Sequence, residues 1–412
     1  MFYGWKIVGV TYVTHFIAVG FVFYSYGIFF EALESEFEAS RLGVSGGLAT
    51  MNVAMALFAP ILGRAVDKYS IRWIMVVGAV LMAMGFFLAV RIESLFQFYL
   101  ILATLLGMGT AMIGFIPNST LIANWFVRRR GTAFGIATMG VSLSGMVMAP
   151  ACAKLISEIG WRYTFIILGL TAVSVIVPLV LSHVVNRPED MGLTPDGDPP
   201  EISPSTEANL ETGEENASTS WSARRVLCAG NFWAITVSIG LIFFSLGGTL
   251  IHMVKNAIDH GVPLESASYI LAASAGVGVL GKLLFGWIAD HISARRALWI
   301  AITFAALGTF FFMRSSGYAS LIAAAGVFGF GMGGIVPLWS TLVGDIFGRE
   351  YFGRVMGIMS PCMVPFQALG VPYAGYIYDR THSYTIAYQT FIVVYGIAAI
   401  AALFIRTPKR IR

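Results

Sequence analysis

The chain has 412 residues, of which 57% are hydrophobic and 12% charged, and its mean hydropathy is +0.77. An average soluble chain carries about 25% charged residues, so this composition excludes an ordinary soluble domain and indicates a protein of the lipid bilayer. The formal net charge is +4. The sequence has no basic patch interleaved with aromatic residues, which argues against nucleic-acid binding. Three scattered cysteines predict neither a disulfide framework nor a metal site.

Twelve apolar stretches follow one another along the chain. A helix needs about 20 mostly apolar residues to cross roughly 30 Å of hydrocarbon. The predicted helices cover residues 6–30, 44–64, 72–91, 96–123, 131–156, 162–184, 228–254, 266–288, 297–314, 317–344, 352–377 and 385–405. The first stretch is too long for a cleavable signal and lacks a small-residue cleavage site, so we expect a permanent span. The fold class predicted is an all-α membrane protein with twelve transmembrane helices.

Two short loops carry the same pattern, Gly-x-x-x-Asp-x-x-Ser-x-Arg. They are GRAVDKYSIR at 63–72 and GWIADHISAR at 286–295, which lie 223 residues apart, close to half the chain length. Such a repeat predicts two pseudo-symmetric six-helix bundles, residues 1–185 and 225–412. Residues 186–224 between them are acidic and rich in Pro and Ser, which predicts a flexible cytoplasmic linker that lets the halves rock.

The placement of Lys and Arg predicts how the chain is oriented. With the N-terminus inside, the inner loops and tails hold 18 basic residues and the outer loops hold 7. By the positive-inside rule, both termini are expected in the cytoplasm. We therefore expect a multi-pass protein of the cell membrane.

The repeated loop resembles the signature loop of the major facilitator superfamily, although Ser70 and Ser293 replace its second glycine. Within that superfamily the chain is similar to the monocarboxylate transporter and oxalate/formate exchanger group. The segments that carry this similarity are FYGWKIV, YSYGIFFEALESEF, NWFVRRRGTAFGIATMG, GWRYTF, RPEDMGLTPDG, GKLLFGWIAD and GVPYAGYIYD. The resemblance implies a secondary transporter of small organic anions that works by alternating access and needs no cofactor.

The two loop aspartates are candidates for a cytoplasmic gate. Asp67 and Asp290 each end a helical hairpin, where a carboxylate can accept hydrogen bonds from the N-terminus of a neighbouring helix and pair with basic residues. We expect a latch that closes the cytoplasmic side, or else ordinary solvated charge that only sets topology. The candidate gate residues are Asp67, Arg72, Arg129, Asp290 and Arg295.

Lys282 is the strongest candidate for substrate binding. It lies inside the apolar run ILAASAGVGVLGKLLFGWIAD, and an ammonium at mid-membrane costs about 2.5–3.5 kcal/mol on insertion scales. The resemblance implies that this position, usually an arginine, binds the substrate carboxylate; here it is lysine, a point charge that can release its proton. The alternative is a long side chain that extends to the membrane surface.

The surroundings of Lys282 in the sequence indicate a singly charged substrate. Position 278, one helical turn earlier, is glycine, whereas animal members of the resembled group carry an aspartate there. Predicted helix 11 has no second lysine of the kind that oxalate exchangers use, and it offers only Ser360 and Gln367. One cation suits one carboxylate.

Further residues are candidates for the substrate cavity and for proton coupling. His252 has an ordinary pKa near 6.5 and can exchange a proton together with Lys282, although water or backbone can equally satisfy it; His15 is a weaker candidate. The polar or aromatic cavity candidates are Tyr24, Asn118, Thr120 and Trp339, with interhelical hydrogen bonding or packing as the alternative.

The sequence lacks the phosphate-binding Gly-x-x-x-x-Gly-Lys-Ser/Thr motif and any nucleophile-base constellation, which argues against ATP-driven pumping and against an enzyme. The expected function is symport of a small organic monocarboxylate with a proton. The alternatives are an efflux carrier for amphipathic or uncharged compounds and an organic-anion exchanger.

Overall fold

The computed structural model describes residues 2–38, 41–197 and 221–406. Within these residues it contains twelve helices that are long and apolar enough to cross a membrane, and no strand. The predicted fold class is therefore confirmed. The first half holds α1 (Gly4–Val19, continued by Gly20–Tyr24 and Ser25–Phe37), α2 (Arg41–Lys68), α3 (Ile71–Ala89), α4 (Leu95–Ile101, continued to Phe115–Trp125), α5 (130–159) and α6 (161–183). The second half holds α7 (Gly230–Asp259), α8 (Leu264–His291), α9 (Ala294–Arg314), α10 (Tyr318–Phe347), α11 (Phe352–Thr381) and α12 (Thr385–Leu403).

Several helices of the first half are interrupted. A π-helical turn at Gly20–Tyr24 widens α1, and another at Leu102–Leu106 widens α4. Helix α4 also breaks at Gly114, three residues before Pro117. Helices α5 and α6 meet at Gly160, whose φ of 81° lies in the left-handed region that favours glycine. The interruptions within α1 and α4 re-aim side chains along these two spans, whereas Gly160 forms the turn between two spans.

The two halves pack against each other most extensively through two pairs of helices, α2 with α11 and α5 with α8. Glycine backbones meet at both crossings. A Cβ added at Gly63 would collide with the carbonyl oxygen of Gly353, and one at Gly286 would collide with that of Gly131. The first glycine of each repeated loop therefore permits a close crossing between the halves.

Both crossings lie toward one end of the bundle, which we call the basic end. It is the end where α1 begins and α12 finishes, and it includes the α2–α3, α4–α5, α8–α9 and α10–α11 turns. Ten of the 18 inner Lys and Arg residues counted above lie in these turns or in the helix ends beside them.

The first part of the predicted linker packs on the basic end. Residues Pro188–Met191 form a 3₁₀ turn, and the Asp196 carboxylate accepts hydrogen bonds from the backbone N–H groups of Val127 and Arg128 at 2.9 and 2.7 Å. The flexible tether therefore does not begin at residue 186. Residues 198–220, the rest of the predicted tether up to Trp221, lie outside the described residues.

Candidate functional site

Lys282 of α8 is buried, with 7% of its surface exposed. Its Nζ donates a hydrogen bond of 2.6 Å to Oγ of Ser142, which lies on α5 in the opposite half. Among the described residues no carboxylate lies within salt-bridge distance of this ammonium. A buried cation therefore lies at the junction of the two halves with a neutral partner.

Glycines on two neighbouring helices fix the backbone of Lys282. A Cβ at Gly135 of α5 would collide with the carbonyl oxygen of Lys282, and one at Gly333 of α10 would lie 3.0 Å from its nitrogen. Helices α5, α8 and α10 consequently meet at this residue. The side chain crosses to α5, which differs from the alternative of an extension along α8 to the membrane surface.

Three aromatic rings from three helices pack together where the two halves meet. The ring of Trp339 on α10 stacks on Phe115 of α4 at 5.2 Å between centroids and meets the edge of Phe243 of α7 at 5.9 Å. The indole N–H of Trp339 donates to Sδ of Met359 at 3.1 Å. Because its only polar atom is satisfied, Trp339 presents an apolar surface at the interface of the halves.

His15 of α1 belongs to the same region. It is 2% exposed, its ring lies 6.3 Å from that of Phe115, and it is near enough to Lys282 for the two side chains to interact electrostatically. Its Nδ1 lies 2.9 Å from the carbonyl oxygen of Thr11, and its buried Nε2 has no hydrogen-bond partner. From the sequence, His15 was a weaker candidate for proton coupling, and nothing in the sequence pointed to Ser142 as a partner of Lys282.

The polar residues of α4 are used within the protein. Asn118 accepts a hydrogen bond from the Thr14 hydroxyl at 2.9 Å and donates one to the carbonyl oxygen of Ile113 at 3.0 Å. Pro117 has no N–H for that carbonyl, so the Asn118 side chain replaces the missing helical bond. Thr120 bonds to the carbonyl oxygen of Ile116 in its own helix. These contacts match the interhelical and local alternatives more closely than substrate binding.

His252 is half-buried near the end of the bundle opposite the basic end. Its Nε2 lies 3.1 Å from the carbonyl oxygen of Val371, which can only accept, so Nε2 carries the proton. Its Nδ1 lies 3.1 Å from the hydroxyl of Tyr384. Burial is the main cause that raises the pKa of Tyr384 to about 12, so this hydroxyl is protonated and donates to Nδ1. Neutral His252 is therefore fully hydrogen-bonded.

The two remaining cavity candidates are more exposed. The side chain of Tyr24 is 42% exposed and lies against Gly145 of α5. Gln367 of α11 is also exposed. In the described part of the chain neither side chain hydrogen-bonds to Lys282, whose ammonium donates to Ser142.

The two loop aspartates each bind the N-terminus of a helix in the opposite half. Asp67 accepts from the backbone N–H groups of Gly353 and Arg354 at 2.9 and 2.7 Å, at the start of α11. Asp290 accepts from the N–H groups of Gly131 and Thr132 at 2.7 and 2.8 Å, at the start of α5. A carboxylate is favoured there by the N–H groups and by the helix dipole.

The basic gate candidates need a correction. The side chain of Arg129 is exposed, whereas the buried guanidinium of Arg130 reaches Asp345 of α10 at 3.3 Å. The change by one residue follows from the helix, which begins at Arg130 and turns that side chain inward.

Arg72 and Arg295 act within their own halves. Arg72 donates to the carbonyl oxygen of Val184 at 2.6 Å, just after α6, and Arg295 donates to that of Ile405 at 2.9 Å, just after α12. The repeated arginine therefore holds the end of the sixth helix of each half and does not cross to the other half. Cationic groups are favoured near such carbonyl oxygens.

Comparison with known proteins identifies the class. The family model described as Major Facilitator Superfamily matches residues 12–363 and, again, 232–412. The chain therefore belongs to this superfamily, and it is a membrane transporter and not an enzyme.

Individual relatives and solved structures show which members of the superfamily the chain is similar to. Monocarboxylate transporter 13 of Rattus norvegicus is 26% identical over 94% of this chain and 85% of its own length. Monocarboxylate transporter 2 of Homo sapiens is 25% identical over 94% of this chain and 82% of its own length. The E. coli fucose:proton symporter FucP has the same fold, with a TM-score of 0.73 and 13% identity over 99% of this chain and 100% of that one. The human organic anion transporter MFSD10 gives a TM-score of 0.71 at 13% identity, over 97% and 99%.

Proposed function

We propose that this transporter carries a small organic monocarboxylate across the cell membrane together with a proton, by alternating access. The observation that carries the proposal is Lys282, a buried ammonium at the junction of the two halves whose recorded hydrogen bond goes to a neutral hydroxyl. A charge at that depth is costly and is retained for a partner or a function. A substrate carboxylate would supply the missing anion.

The charge of Lys282 and the neighbouring aromatic cluster support the proposed substrate class. One ammonium balances one carboxylate, and its three N–H donors exceed what Ser142 can accept. The rings of Phe115, Trp339 and Phe243 would contact the organic part of the acid. The similarity to monocarboxylate transporters supports this choice over an uncharged substrate.

The latches support alternating access. Asp67 and Asp290 tie the halves together at the basic end, which we place on the cytoplasmic side because of the 18 to 7 distribution of basic residues. Closure at that end corresponds to an outward-facing carrier. The pair Arg130–Asp345 and the contact between Arg349 and Glu189 add to the closure.

The test is binding of formate, lactate, pyruvate and benzoate to purified protein, measured by thermal shift and by titration calorimetry. Lys282→Gln should weaken binding by about 30-fold or more, because loss of one partner of a buried charge pair costs about 2–5 kcal/mol. Lys282→Arg should keep part of the affinity.

The control for this test is Lys255→Gln, which removes an exposed lysine from α7. It should leave binding unchanged. Wild-type affinity in the Lys282→Gln protein, or no binding of any of the four acids to wild type, would contradict the proposal.

A further inference from the structure

His15 is held in one tautomer. The carbonyl oxygen of Thr11 can only accept a hydrogen bond, so Nδ1 of His15 must be the protonated nitrogen. Nε2 is then the unprotonated nitrogen, with its lone pair buried and without a partner. Nε2 of His15 is one of thirteen buried side-chain polar atoms without a partner among the described residues, and as an unprotonated ring nitrogen it is the atom on which this histidine would take up a proton.

In the part of the chain that the structure describes, His15 has one charged neighbour. Helices α4 and α5 pack against α1, and near His15 they present Phe115, Asn118 and Gly140, none of which titrates. Among the described residues, Lys282 of α8 is the charged side chain that acts on His15. The ionic state of His15 is therefore tied to whatever neutralises Lys282.

We infer that His15 takes up the proton that accompanies each carboxylate, and that the anion binds between Nε2 of His15 and the ammonium of Lys282. This inference rests on the proposed function and adds to it the residue responsible for coupling. In the empty site, a proton on Nε2 would create two neighbouring buried cations, which is unfavourable. A carboxylate between the two side chains removes that penalty and gives the N–H of Nε2 an acceptor.

The charges balance over a transport cycle. The empty site carries one positive charge, on Lys282, and the loaded site carries two positive charges and one negative charge. Binding therefore takes one proton and one carboxylate anion from solvent, and release on the other side returns the same proton and the same anion. The carrier moves the equivalent of the neutral acid, and the occupied and empty forms have the same net charge.

His252 is less suited to this role. Both of its ring nitrogens are hydrogen-bonded in the neutral form, and protonation at Nδ1 would break the bond from Tyr384. Nε2 of His15 can gain a proton without losing an existing bond.

The test measures how binding depends on pH for whichever of formate, lactate, pyruvate and benzoate binds wild type most tightly. If one proton binds with each anion, the apparent affinity above the pKa of the empty site falls about tenfold per pH unit. His15→Gln and His15→Asn should bind the acid with almost no such slope. The amide of asparagine can keep a hydrogen-bond donor at the position of Nδ1, and the amide of glutamine lies near the position of Nε2. Two variants are used so that the test still works if one of them does not fold.

His291→Gln is the matched control, because Nδ1 of His291 also bonds to the carbonyl oxygen four residues earlier, at 2.9 Å, but its side chain is exposed. It should keep the wild-type slope. In weakly buffered solution, wild type should take up about one proton per acid bound and the His15 variants none.

Three outcomes would overturn the inference. The first is that the His15 variants keep the pH slope. The second is that they fold but bind no acid at any pH. The third is that His252→Gln, and not the His15 variants, loses the slope. In each case the proposed function survives if Lys282→Gln still weakens binding by about 30-fold or more. If wild type binds none of the four acids, both proposals fall.

Discussion

At the scale of single residues, Asn118 and Lys282 are two buried polar side chains that the protein satisfies to different degrees. Asn118 replaces the hydrogen bond that Pro117 cannot make and also accepts from Thr14. The ammonium of Lys282 has three donors, and Ser142 is the partner recorded for it. Asn118 therefore serves the helix, whereas the ammonium of Lys282 keeps donors for the carboxylate that we propose.

Asn118→Leu should reduce stability and leave acid binding intact. The substitution leaves the carbonyl oxygen of Ile113 buried without a donor, which costs about 1–3 kcal/mol. Thermal unfolding in detergent measures the first effect and calorimetry the second. Thr120→Val, which removes a hydroxyl bonded to its own helix, is a milder comparison. Unchanged unfolding combined with lost binding would instead place Asn118 in the substrate site.

The site residues differ in how far the sequence could predict them. A lysine inside an apolar helix can be recognised in the sequence because placing its charge within the membrane costs a large free energy. Ser142 is not, since a serine in a helix commonly bonds to its own backbone and carries no cost that marks it. The exchange of Arg129 for Arg130 reflects the uncertainty of a helix start by one residue, which decides whether a side chain faces in or out.

At the scale of helices, the repeated loop makes the same three contacts in each half. Its glycine permits a close crossing, its aspartate binds a helix start in the other half, and its arginine holds the end of the sixth helix. We infer that the crossing and these hydrogen bonds together hold the basic end closed.

Gly286→Ala should open the basic end. The added methyl would collide with the carbonyl oxygen of Gly131, so α5 and α8 must separate. The reporter is a cysteine at the buried position Ala289, in a protein whose three cysteines are replaced, labelled from the cytoplasmic side of vesicles. Labelling should rise, whereas Gly276→Ala on the same helix has free space and should not change it. Equal labelling in the two variants would show that this crossing does not hold the end closed.

Asp67→Asn and Asp290→Asn should also increase labelling of that cysteine. Asparagine keeps the shape but loses the charge that the helix N-terminus favours by about 0.3–1 kcal/mol. The shift in population is therefore expected to be severalfold, and binding of the acid in detergent should survive. Unchanged labelling together with lost binding would mean that these aspartates hold the fold or the site, and the latch would be the wrong account.

At the scale of the whole molecule, the fold could be predicted from the sequence because the length and composition of an apolar stretch identify it as a membrane span. The twelve predicted spans coincide with the helices of the structure to within a few residues, apart from the longer α1. The breaks at Gly114 and Gly160, and the packing of Asp196 on the start of α5, depend on tertiary contacts. Which end is closed was not predictable either, because two states of a carrier differ by only a few kcal/mol.

The most direct test of the central claim is uptake into liposomes that contain the purified protein. The labelled acid is the one that binds wild type most tightly, and the pH outside is set below the pH inside. Uptake should accelerate with this inward proton gradient, collapse when a protonophore is added, and be absent in liposomes with Lys282→Gln. Uptake that ignores the gradient would contradict proton coupling, and uptake by the Lys282→Gln protein at the wild-type rate would contradict the carboxylate site itself.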